Sequence, residues 1–193
     1  MTLPDRDILH TVAALRDAGE AFALATVVRT VAVTAAKAGT KAVIRADGTI
    51  SEGWIGGGCA RGAVIRAAQD ALADGQSRLI QISPADVLAA QGTTPGETRD
   101  GLHFARNSCP SKGTMDIFIE PMLPQPAVVI HGASPVALVL QGLAPQFGFA
   151  VRSADLPASG VVSSAAPLPY LVVATQGRSD EAARRQPAPP RRP

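Results

Sequence analysis

Two cysteines, one tryptophan, one tyrosine and three lysines (Lys37, Lys41 and Lys112) are all that this chain of 193 residues holds of those four types. Each shortage excludes something. Cys59 and Cys109 cannot staple a disulfide framework, and they stand too far apart in sequence for a CxxC zinc site. Charged residues make up only 18%, and the net charge of +2 is unevenly placed. From Arg178 onward five arginines stand against Asp180 and Glu181, a surplus of +3, so residues 1–177 come to −1 (2 − 3). A nucleic-acid binder needs a basic face to neutralise phosphates, and the folded part lacks one. No apolar run approaches the ~18 residues that suggest a membrane span. Met1–Asp7 also lacks the basic-then-apolar order of a signal peptide. The expectation is a soluble cytoplasmic protein with no transmembrane segment and no nucleic-acid partner. His10, His103 and His131 are scattered without a triad or HExxH spacing, so no catalytic residue is assigned.

What the chain does have is apolar residues, at 46%, enough for a sizeable core. Their spacing predicts a helix over 5–18, a strand over 22–33, a small-residue loop over 34–40 and a hairpin of 41–45 and 49–54 about Ala46-Asp47-Gly48. A helix over 59–73 and a strand over 78–82 follow. Residues 83–113, punctuated by proline and glycine, read as the least regular part, and 114–120 as a strand. Three prolines within Pro121–Pro126 predict a stiff linker. Beyond it, strand 127–131, turn 132–134, helix 135–147, strand 149–154 and strand 170–175 have the β-α-β grammar that opens a doubly wound sheet. The expected fold class is α/β, an N-terminal α+β domain followed by a partial (truncated) Rossmann-like parallel-sheet domain. The expected boundaries are 1–120 for the first domain, 121–126 for the linker, 127–180 for the second domain and 181–193 for a disordered Pro/Arg tail.

Three constellations could carry chemistry. Gly56-Gly57-Gly58-Cys59 leads into a helix, where glycines admit close approach of a ligand and free N–H groups attract anions. A thiol there has its thiolate favoured, as a nucleophile or a soft-metal ligand. The plain alternative is a strand-to-helix turn with a small buried cysteine. Asn107–Gly113 places Cys109 and Lys112 in a polar loop, which reads either as a second thiol site or as an exposed loop cysteine. Lys37 and Lys41 flank Gly39 and could meet an anionic ligand or simply face solvent. Gly132-Ala133-Ser134-Pro135-Val136-Ala137 is the third, with Gly132 in the turn of a dinucleotide fingerprint and Ala137 tolerable at its third glycine. Ser134 stands at the second glycine, in the space a pyrophosphate needs. Asp155 lies 23 residues (155 − 132) beyond Gly132, near the distance of a ribose-binding acid.

Together these residues resemble the XdhC/CoxI family, maturation factors for molybdenum hydroxylases of the xanthine and carbon monoxide dehydrogenase types. The matching features run in order: Ala25-Thr26-Val27-Val28, Ala38-Gly39-Thr40-Lys41, Asp47-Gly48, Gly56-Gly57-Gly58-Cys59, Ser108-Cys109-Pro110-Ser111, Met115–Pro121, Gly132 and Val172-Val173-Ala174-Thr175. The resemblance implies a chaperone for a transiently bound cofactor of the molybdopterin type, which it protects during sulfuration and hands to an apo molybdenum hydroxylase. It implies cofactor contacts from Gly56, Gly57, Gly58, Cys59, Cys109, Lys41, Gly132 and Ser134, with Cys59 as the metal ligand. A cysteine desulfurase and a second copy of the chain are the further partners expected, and NAD(P) is not expected to bind. The rival readings are an NAD(P)-dependent oxidoreductase and a truncated, non-catalytic scaffold.

Overall fold

A computed structural model describes residues 4–110, 112–153 and 169–175. Its contacts divide the chain into two compact units, Met1–Leu123 and Pro124–Pro193. The first unit runs α1 (Pro4–Asp17), β1 (Phe22–Val31), β2 (Lys41–Arg45), β3 (Ile50–Gly53), α2 (Gly58–Asp74), β4 (Arg78–Ser83), α3 (Ala85–Ala90), β5 (Thr98–Arg99), β6 (Leu102–Arg106) and β7 (Thr114–Met122). Its seven strands form one mixed sheet in the order β3-β2-β1-β7-β4-β6-β5. Every neighbouring pair is antiparallel except β4 and β6, which run parallel with α3 between them in sequence.

Alternation along β1 sets the two faces of that sheet. Ala23, Ala25 and Val27 are buried against α2, while Phe22 joins Ile8, Leu15 and Val43 beneath α1. The buried side of α2 is nearly all alanine (Ala60, Ala63, Ala67, Ala68 and Ala71, with Val64), and such short side chains let the helix lie close to the strands. Its end is marked by Gly75 in the left-handed conformation, whose N–H donates to the Ala71 carbonyl at 2.8 Å. Between Val27 and Arg29 the register of β1 against β7 slips, so Val28 is an extra, half-exposed residue. Ala32, at a φ of 61°, then turns the chain away, and β1 stops at Val31 rather than at 33.

Two stretches differ from the sequence reading. Residues 83–113 hold α3, β5 and β6. These elements are short, and β6 (Leu-His-Phe-Ala-Arg) is half polar because only one of its faces is deeply covered. Strand β7 also continues through Pro121 and Met122, into the stretch read as linker, pairing with Ala23 and Phe22. On its other side β4 pairs no further than Ile119, so the proline's missing N–H costs no ladder bond.

In the second unit β8 (Ala127–His131), α4 (Pro135–Leu143), a 3₁₀ turn (Ala144–Phe147), β9 (Ala150–Ser153) and β10 (Tyr170–Val173) are described. The three strands form a parallel sheet in the order β10-β8-β9. Its core is Val128, Ile130, Ala137 and Ala144, and Tyr170 packs edge-on to Phe149 with centroids 5.8 Å apart. The helix expected to reach Phe147 tightens into the 3₁₀ turn at Ala144-Pro145, and Gly148 closes it in the left-handed region. Among the described residues the second unit is thus a parallel three-strand sheet with one α-helix, the coarse α/β part of the expected Rossmann-like domain. Asp155 and the tail 181–193 lie outside the described residues. Among the described residues no helix is long and apolar enough to cross a membrane.

Candidate functional site

In the first unit the C-terminal ends of the parallel strands β4 and β6 coincide, Ser83 being opposite Arg106. The start of β7 joins them, because Ser83 Oγ lies 3.2 Å from Thr114 Oγ1. The backbone N–H of Asn107 donates to the Ser83 carbonyl at 2.7 Å, which launches the Cys109 loop from this end of the sheet. Asn107 then shapes that loop from both sides. Its Nδ2 donates to the Gly113 carbonyl at 2.7 Å, and its Oδ1 accepts from the Cys109 N–H at 2.9 Å. Lys112 takes a left-handed φ of 49° and donates its N–H to the Cys109 carbonyl. Gly113 follows, where any Cβ would collide with the Val33 carbonyl. Cys109 itself is exposed.

The glycine turn reaches the same end. Gly56 is buried at a φ of 112°, and a Cβ there would lie 3.6 Å from Met115 Cε, near the start of β7. Gly57 is the N-cap of α2 and Cys59 lies in the helix's first turn. Gly57 has no side chain with which to cap this terminus, and no acidic residue occupies its first turn. Around Gly57 and Gly58 an added Cβ would meet nothing within 4 Å. The first turn of this 17-residue helix therefore has neither an N-cap side chain nor an acidic residue of its own.

The other sequence candidates fall elsewhere. Lys41 opens β2 opposite Thr26, and its Nζ lies 3.5 Å from Thr26 Oγ1. Because Ala42 and Ile44 face α2, the alternation puts Lys41 on the α1 side of the sheet, away from the glycine turn's helix. Gly132 and Ser134 belong to the second unit. Gly132 has a φ of 112°, and a Cβ there would collide with the Ala174 carbonyl, whose own N–H bonds to His131. Close approach of two backbones accounts for this glycine. Ser134 caps α4, its Oγ accepting from the Ala137 N–H at 3.2 Å, and Pro135 follows at the first helical position.

A polar group not singled out from sequence spans the α1 side of the sheet. Asp116 on β7 accepts from Arg29 Nε at 2.5 Å and from Gln81 Nε2 at 3.1 Å. The Gln81 Oε1 is buried without a partner. The only signal in the sequence was a polar residue set inside each of two apolar strands, Leu79-Ile80-Gln81-Ile82 and Met115-Asp116-Ile117.

Among the described residues no three His, Cys, Asp or Glu side chains converge in a metal-binding cluster.

No curated protein matches the chain. Among solved structures, one described as a xanthine dehydrogenase from Bacillus halodurans is similar at 16% identity and a TM-score of 0.43, over 78% of this chain and 62% of that one. This chain therefore spans less than two thirds of that relative's length. The motif order is matched more directly: residues 15–83, which hold the Lys41 loop, the glycine turn and Cys59, match the XdhC and CoxI family.

Proposed function

We propose that this protein binds a cofactor of the molybdopterin type and assists its sulfuration and insertion into a molybdenum hydroxylase of the xanthine or carbon monoxide dehydrogenase class. The observation that carries this reading is the uncapped glycine N-terminus of α2 with Cys59 in its first turn, inside the family-matched segment. Such a terminus offers N–H groups to an anion, and the same field favours the thiolate of a first-turn cysteine. Gly57 and Gly58 leave room for a bulky ligand to reach the backbone. When bound, the cofactor would supply the metal and its sulfur ligands, and Cys59 would be the chain's own thiolate ligand to it. Cys109, on the loop at the same end of the sheet, is the second thiol within the proposed site.

An apo hydroxylase is the recipient, a cysteine desulfurase is the sulfur source, and a second copy of the chain is the further partner proposed. Exposed Val136, Val139 and Leu143 on α4 support the last. NAD(P) is not the ligand proposed, since Ser134 spends its hydroxyl on the helix cap and Gly132 on a backbone contact. Cys59→Ala is expected to lower the molybdenum that co-purifies with the protein, read by metal analysis, with Trp54 emission unchanged as evidence of folding. Equal molybdenum in folded wild type and variant removes the assignment.

A further inference from the structure

The net charge of residues 1–123 is −1 (12 − 13), and it hides an uneven distribution. Strands β1, β4 and β6 end, and β2 and β7 begin, at one end of the sheet: Thr26 is opposite Lys41, Val31 opposite Thr114 and Ser83 opposite Arg106. The loops and the glycine turn at that end carry Lys37, Arg61, Arg106 and Lys112, all exposed, and the half-buried Lys41. Every lysine of the chain is among them. None of the five joins an ion pair among the described residues. Glu52, Asp86 and the start of α1 (Asp5-Arg6-Asp7) stand at the same end and bring it to +2 (6 − 4), which leaves −3 (−1 − 2) for the rest of the unit. At the opposite end the turns after α1, β2, α2 and β5 hold Glu20, Asp47, Asp74 and Asp100, and Arg45 and Arg78 there are already paired.

Apolar residues are interspersed with these charges. Val28, Val31 and Val33 at the end of β1 are exposed, as is Trp54 just before the glycine turn. The Val33 carbonyl abuts Gly113, next to Lys112, and the Trp54 N–H donates to the Lys41 carbonyl. From β2 to β6 the row crosses four strand spacings, roughly 20 Å, too wide for one small anion and ordinary for a protein face. Exposed tryptophan and arginine among apolar side chains are the composition of a protein interface, whereas a phosphate backbone is met by an unbroken basic row. We propose that the glycine-turn end of the first unit docks a protein that presents an acidic face around an apolar centre, drawn in by the field of this end. For the identity of that protein, the recipient of the cofactor, the inference rests on the function proposed above; it adds where the recipient docks and by what chemistry.

The probe is an immobilised apo molybdenum hydroxylase of the xanthine dehydrogenase type, to which the full chain is offered at several salt concentrations. The double variant Lys37→Glu/Arg106→Glu, at two exposed positions outside the glycine turn and the Cys109 loop, should slow association about tenfold or more at low salt and flatten its salt dependence. Val33→Ser, also exposed, should speed dissociation instead. Arg16→Glu, in the last turn of α1 at the opposite end, should associate as wild type does. Thermal unfolding checks that each variant is folded. The proposal falls if wild type does not bind, if the double variant associates at the wild-type rate, or if Arg16→Glu slows association equally. Tighter binding of a short oligothymidylate or of phosphatidylglycerol vesicles than of the hydroxylase, lost in the double variant, overturns it in favour of another class of partner. Growth of wild type alone with concentration at low salt, absent in the double variant, overturns it by seating the acidic end of a second copy there. Co-purifying molybdenum should be unchanged in the double variant, and its loss would give these charges to the cofactor instead. Molybdenum in Cys59→Ala tests the cofactor reading by itself, so the two failures are told apart.

Discussion

The chain passes from strand to helix through glycine twice, and the two junctions solve the problem of the helix N-terminus differently. Before α4, Gly132 makes the turn, Ser134 supplies a hydroxyl to the Ala137 N–H, and Pro135 removes one donor altogether. That terminus is largely provided for by its own residues. Before α2, Gly57 stands where a capping side chain would, no acid follows, and a Cβ added at either Gly57 or Gly58 would meet nothing within 4 Å. A terminus left unprovided by its own sequence is the one with capacity for something else. The fingerprint-like turn that resembled a nucleotide site is thus the self-sufficient one, and the bare glycine turn is the better candidate.

Substitutions at the two junctions can break that comparison, and the single tryptophan and single tyrosine separate the units, Trp54 reporting on the first and Tyr170 on the second. Gly132→Ala should have the largest effect. It forces a Cβ against the Ala174 carbonyl at a φ that alanine resists, and a loss of about 3 kcal/mol or more is expected. Thermal unfolding should show the Tyr170 near-ultraviolet signal melting early while the Trp54 transition holds. Ser134→Ala should cost about 1 kcal/mol in the second unit through loss of the cap, measured by the same tyrosine signal. Gly57→Ser should have the smallest effect on stability, a gain of a few tenths of a kcal/mol, because serine can supply the missing cap from a compatible backbone φ of −79°. The serine would also compete for the N–H groups proposed to hold the cofactor, so co-purifying molybdenum should fall. A Gly57→Ser protein that is more stable and retains full molybdenum would break the link between the bare terminus and the ligand.

Long elements with a single period were legible in the sequence. The α1 helix, the valine-rich β1, the hairpin at Asp47-Gly48 and the run from Ala127 to His131 each bury one face or two, and the pattern shows it. The region from 83 to 113 was not legible, because its helix spans six residues and its longest strand five, too short for a period to stand above proline and glycine. Pro121 inside β7 was hidden for another reason: whether proline is tolerated depends on which flank of the strand is open, and that is set by how far β4 runs. For the site, residue types could mark the glycine turn and the Cys109 loop but not their arrival at one end of the sheet, which the β4–β7 pairing creates.

The pairing of β1 with β7 has a consequence in time. Phe22 sits opposite Met122, about 100 residues later (122 − 22), and the longest strand pairing among the described residues joins these two segments. At about 5–20 residues per second, a growing chain carries β1 for roughly 5–20 s before its main partner is made. During that interval β2 can cover one side of β1, but the other stays an unpaired apolar edge, open to association with neighbouring chains. Closing so distant a pair also makes for slow folding. The charged Arg29 and Asp116 near the far end of the ladder meet only once the correct register is reached, so their ion pair discriminates against a slipped one.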